Sequence, residues 1–164
     1  RYFEENIQVW KALEDAYAAG KIKAIGVSNF LVDDLGNLLA HCTIKPMVNQ
    51  LLIHIGNTPA ELIAYCKEQN IVVEAYSPIA HGKALKNETI VAMAQKYGVS
   101  VPQLCVKYVL NLGTVALPKT ANAEHMQNNA NLDFEISNED METLKSLNFK
   151  NYGEYSFFPV FSGK

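Results

Sequence analysis

Short apolar runs alternate with helix-patterned segments along this chain, and that alternation constrains its fold more than any other feature. The runs cover residues 22–27, 47–52, 71–76 and 115–117. A helix bearing Ile7, Trp10, Leu13 and Tyr17 on one face precedes the first run and stops at Gly20, which suits a left-handed C′ position. A second helix over 32–41 carries Leu35, Leu38 and Leu39 on one face. In TPAE, Thr58 can cap, Pro59 suits the first helical position and Glu61 can reach back, so a third helix is expected from there to about Gln69. The stretch 77–87 reads as a loop, and a helix over 88–97 follows it. Ser100 with Gln103 makes a capping box for a helix carrying Leu104, Val106, Val109 and Leu110. Ser137, with Glu139 and Asp140 in the first turn, opens a last helix through Leu147. Strands that alternate with helices imply right-handed crossovers and a parallel sheet.

Composition narrows the partners. Seventeen acidic against fourteen basic residues, with no Lys or Arg run, leave no electrostatic footprint for nucleic acid. The longest apolar stretches are broken by Asn111, Gly113 and Pro118, so none is expected to span a membrane. Cys42, Cys66 and Cys105 are odd in number and widely spaced in apolar helical surroundings, which points to reduced thiols and a cytoplasmic protein. His41, His54, His81 and His125 have no ligand-like spacing, and no metal site is expected.

Polar residues stand at the ends of all four runs. Ser28 and Asn29 follow the first, Asn49 and Gln50 lie in the second, Tyr76 and Ser77 end the third, and Lys119 and Thr120 follow the fourth. The carboxyl ends of parallel strands are where α/β sheets place their ligands. Each pair also has an ordinary use: Ser28 and Asn29 as turn or cap residues, Tyr76 as a core aromatic, Lys119 as a solvated charge. No GxGxxG follows any strand, which argues against a Rossmann nucleotide fold. Periodicity alone leaves half of an eight-stranded βα barrel and a complete doubly wound domain both open.

Taken together, GKIKAIGVSNF, PMVNQ, VEAYSP and LPKT resemble the aldo-keto reductases in order and context, from Arg1 to about Leu147. The resemblance implies a parallel (β/α)8 TIM barrel in which residues 1–164 form the second half, with 147–164 a tail over the substrate side. It implies NADPH-dependent reduction of small aldehydes or ketones by the intact protein. Ser28, Asn29 and Gln50 match positions that hold the nicotinamide carboxamide, a group that a hydroxyl and two side-chain amides can read. Tyr76 matches the ring that stacks on the nicotinamide, and Ser77 and Ile79 match the loop beside the pyrophosphate. Lys119 and Thr120 match contacts to the adenosine 2′-phosphate. His125 and Asn128 stand where the family usually has Arg and Glu, whereas Asn129 keeps the usual identity. A histidine lacks the fixed charge and two-pronged geometry of arginine, so NADPH is expected with weakened discrimination against NADH.

The family's catalytic Asp, Tyr, Lys and His have no counterpart here; the resemblance places them upstream. The opening RYFEENIQVW, without an initiator Met or signal architecture, reads as the middle of a longer protein. The chain is therefore expected to be inactive alone and to associate with a missing amino-terminal half or with its own copies, because half a barrel leaves strand edges open. Two other readings are a regulatory subunit that binds nicotinamide nucleotide without catalysis, and a different barrel enzyme with a phosphate site after its last strand. Tyr155, Phe157, Phe158 and Phe161 are candidates to line the substrate pocket.

Overall fold

The computed structural model describes residues 2–154. Its four strands are β1 (Gly26–Ser28), β2 (Val48–Leu52), β3 (Val72–Tyr76) and β4 (Val115–Leu117), in the sheet order β1-β2-β3-β4. The helices are α1 (Phe3–Ala18), α2 (Val32–His41), α3 (Ala60–Glu68), α4 (Glu88–Lys96), α5 (Val101–Asn111), α6 (Ala123–Ala130) and α7 (Asn138–Ser146). The chain divides into two compact units, 1–51 with 60–73, and 52–59 with the chain from residue 74 onward.

In the first unit β1 pairs parallel with β2, Gly26 opposite Val48 and Ser28 opposite Gln50. Gly26 is needed for this pairing, since a Cβ there would lie 2.8 Å from the Val48 carbonyl oxygen. Of the expected run 22–27 only the end is strand, from Gly26, although the Ile25 carbonyl already accepts from the Met47 amide at 2.9 Å. Ala24 is exposed and Val27 half-buried, so the apolar letters of this segment serve an outer strand rather than one covered on both faces. Trp10, Ile25 and Leu38 form one core cluster here, joined by Leu13, Tyr17 and Ile22. Two polar devices attach α1: Trp10 Nε1 donates to Ile44 O at 2.9 Å, and Glu14 Oε1 accepts from the amides of Thr43 and Ile44 at 2.7 Å each. Cys42 sits half-buried at the end of α2 rather than within a helix, and burial raises its thiol pKa.

In the second unit β3 pairs parallel with β4, with Tyr76 opposite Leu117. The Ser100–Gln103 capping box opens α5 as expected, and the Ser137 hydroxyl caps α7 through the Asp140 amide. Along α5 the buried residues are Leu104, Cys105, Val106, Tyr108 and Val109, while Leu110 is exposed, one residue past the buried stripe. α3 begins at Ala60, and the Thr58 hydroxyl lies 2.6 Å from that of the buried Tyr108. The segment read as a loop at 77–87 contains 3-10 turns over Ala80–Lys86, kinked by left-handed backbone at His81 and Gly82. Asp140 ties α4 to α7, accepting from Lys96 Nζ at 2.7 and 3.0 Å and from the Tyr97 hydroxyl.

The outer strands β1 and β4 each have one strand neighbour among the described residues. Val115 and Leu117 of β4 are 45% and 36% exposed, a large apolar display for a strand. No helix among the described residues is long and apolar enough to cross a membrane, and no group of His, Cys, Asp and Glu among them could hold a metal ion.

Candidate functional site

The first unit brings three of the sequence candidates together. Ser28 ends β1 opposite Gln50 of β2, and the Gln50 carbonyl accepts both the Ser28 hydroxyl at 3.0 Å and the Asn29 amide at 2.9 Å. Asn29 Nδ2 in turn donates to Ser28 Oγ at 3.2 Å. Neither residue caps α2, whose start at Val32 is fixed by Asp34 accepting from the Leu31 amide. Asn29 does turn the chain, with φ of 57°, a conformation that asparagine tolerates better than most residues. The outcome is a hydroxyl and two side-chain amides where the end of β1 meets the middle of β2, with Ser28 and Asn29 exposed and Gln50 half-buried. Asn49, one residue before Gln50, is wholly buried and faces elsewhere, donating to Phe30 O at 2.9 Å. Alternation along a strand requires that division of labour.

The remaining candidates lie in the second unit. Tyr76 closes β3 half-buried, and its register partner Leu117 stands two residues before Lys119, so the ends of β3 and β4 are level. Ser77 follows with φ of 52°, its Oγ 3.3 Å from His81 Nε2. Ile79 is half-buried and its carbonyl accepts from Gly82 N at 3.0 Å. Lys119 is exposed, with no ion pair among the described residues. The Thr120 hydroxyl accepts from the Asn122 amide at 3.1 Å, which folds the chain back toward α6.

Residue Asn122 escaped the sequence reading. Its Oδ1 accepts from the amides of Glu124 and His125 at 2.8 and 3.3 Å and so starts α6. The signal is present in the sequence, an Asn followed two residues later by Glu. With α6 placed, His125, Asn128 and Asn129 fall three and four residues apart and share one face. His125 and Asn128 are exposed and Asn129 half-buried. The candidate pocket residues Tyr155, Phe157, Phe158 and Phe161 lie outside the described residues.

Each unit thus offers a set of groups with its own chemistry. The first presents donors and acceptors suited to a primary amide; the second presents an aromatic ring, hydroxyls, the exposed Lys119 and a short helix carrying side-chain amides. Both sets fit parts of a dinucleotide.

The sequence model of the Aldo/keto reductase family matches residues 3–148. The glyoxal reductase of Bacillus subtilis is 46% identical over 140 residues, 85% of this chain and 51% of that protein. Among solved structures, MGS-M4, an aldo-keto reductase from a Medee basin deep-sea metagenome library, is 35% identical with a TM-score of 0.84, covering 90% of this chain and 57% of that one. The aldo-keto reductase AKR2E5 of the silkworm Bombyx mori, in a structure complexed with NADPH, is 34% identical with a TM-score of 0.79, covering 85% and 46%. The chain spans about half the length of the curated relatives it matches.

Proposed function

The chain belongs to the aldo/keto reductase family, and from that premise we propose that it carries the cofactor-binding residues of an NADPH-dependent carbonyl reductase. The convergence of Ser28 Oγ and the Asn29 amide on the Gln50 carbonyl carries this reading, because it gathers a carboxamide-reading set where β1 ends against β2. Ser28, Asn29 and Gln50 would orient the nicotinamide amide, and Tyr76 would cover one face of the ring so that substrate meets the other. Ser77 and Ile79 would border the pyrophosphate. Lys119 and Thr120 would hold the adenosine 2′-phosphate by one charge and one hydroxyl, with His125, Asn128 and Asn129 along the adenosine. The cofactor when bound supplies hydride to a carbonyl. The proton is supplied by residues that this chain does not hold, so the 164 residues alone are proposed to bind without turnover.

Titration of the chain with NADPH and NADH, followed by nicotinamide fluorescence, tests the reading. Saturable NADPH binding with no oxidation by a small aldehyde is expected. Lys119→Ala should weaken NADPH roughly tenfold or more, the range for a charge-assisted hydrogen bond, and leave NADH nearly unchanged. Equal weakening of both would remove the 2′-phosphate role, and no saturable binding would favour a phosphate-binding barrel of another kind.

Because β1 and β4 each have one strand neighbour among the described residues, we propose that the isolated chain associates with itself or with complementary strands. Unpaired strand edges recruit partners, and the exposed Val115 and Leu117 would be covered by such contact. Light scattering should give a mass above 18.2 kDa that grows with concentration. A constant monomer mass up to high micromolar concentration would sink the idea.

A further inference from the structure

The loop at 77–82 adopts backbone that its own residues do not favour. Ser77, Ala80 and His81 all have φ between 50° and 52°, a region that side chains with a Cβ rarely enter. Two turn hydrogen bonds accompany it, Ala80 N to Ser77 O at 2.9 Å and Gly82 N to Ile79 O at 3.0 Å. Such a run persists only where the surroundings over-determine it.

The surroundings come from far along the chain. Tyr152, six residues past α7, packs with Leu52 and the wholly buried Ala80 in one cluster, and Tyr76 and Phe149 pack against it. The Tyr152 ring meets the His81 ring edge-on at 6.2 Å. Its hydroxyl lies 2.9 Å from His54 Nε2. His54 Nδ1 is 2.6 Å from the Ile55 carbonyl, which can only accept, so Nδ1 carries the proton and Nε2 is left to accept from Tyr152. His54 is wholly buried and is held on its other side by Phe149, at 5.5 Å between rings, and by reciprocal backbone bonds with Asn57. One end of Tyr152 is thus anchored on a fixed imidazole, while its ring supports the strained loop.

We propose that Tyr152 is a positioning residue, which holds the loop 77–82 and Tyr76 in the shape that the dinucleotide requires. The proposal rests on the cofactor reading above. Neither Tyr152 nor His54 needs to touch the ligand; they decide where Ser77, Ile79 and Tyr76 stand before it arrives.

Tyr152→Phe keeps the ring and deletes its bond to His54. In the ligand-free 164-residue chain, amide exchange at Ala80 and Gly82 should quicken about fivefold, as befits one hydrogen bond, with the amides of α5 unchanged. The dissociation constant for NADPH should rise severalfold, while that for adenosine 2′-monophosphate, a probe of the Lys119 end alone, should not move. If Tyr152→Phe does not fold, His54→Leu removes the acceptor from the opposite side and should act on the same amides. Unchanged exchange at Ala80 and Gly82 would overturn the proposal, as would equal weakening of both ligands or faster exchange throughout α5. A wild-type chain that binds no NADPH would instead overturn the cofactor reading, and with it the ligand role of Tyr152, while exchange would still report on the support of the loop.

Discussion

Replacing Gly56 by alanine should lower stability by about 2–5 kcal/mol, combining the strain of a left-handed residue with overpacking. Gly56 has φ of 99°, and a Cβ there would lie 2.4 to 2.8 Å from three atoms of the Phe149 ring. The ring has little room to yield, because the Phe149 amide donates to the Gly56 carbonyl at 3.1 Å and the ring also lies against His54. Gly20→Ala separates the two contributions: φ is 71° but nothing lies within 4 Å, so only backbone strain of about 1–2 kcal/mol is expected. Urea unfolding of both variants provides the comparison. Equal losses at the two positions would show that Phe149 does not rest on Gly56.

Acidification from pH 7 toward pH 4 should remove on the order of 3 kcal/mol of stability through His54, by linkage between folding and protonation. Burial pushes the His54 imidazole down to about 4; the Ile55 carbonyl acts against this and the nearby His81 acts with it. The unfolded chain therefore takes up the proton near 6.5 while the folded chain resists it. That contribution is fully present above 6.5 and is lost as the pH falls toward 4. Asp140 adds to the loss further down. The hydrogen bonds from Lys96, then Tyr97, hold its carboxyl below the ordinary value, so its stabilisation is present above the usual carboxylate range and is lost below it. Ring signals followed by NMR across the titration identify the group. A His54 ring that titrates near 6.5 would refute the assignment, whatever the melting curve does.

Much of this architecture was readable from local pattern because the deciding forces were local. The caps at Ser100 and Ser137 act within three residues, and β4 was bounded by Gly113 and Pro118. The length of β1 was overestimated because apolar letters do not tell an outer strand from a covered one; the number of neighbours does. The 3-10 turns at Ala80–Lys86 were missed because their left-handed residues include Ala80 and His81, whose types give no warning of it. In α5 the apolar pattern points to Leu110 and not to Tyr108, with its polar tip, yet Leu110 is exposed. The fully buried one is Tyr108, whose hydroxyl is satisfied by Thr58 from fifty residues away.

By itself, the sequence determined the succession of strands and helices, the polar groups at the strand ends and the family to which they point. These follow from periodicity, caps and short motifs, all of which act over a few residues. Tertiary structure alone decided which of those polar groups meet. It put Ser28 and Asn29 on the Gln50 carbonyl, turned Asn49 away, and set Tyr152 between His54 and a strained loop. The physical reason is distance along the chain: contacts that span 22 or 98 residues depend on how strands register and where a distant segment packs, and no local pattern carries that information.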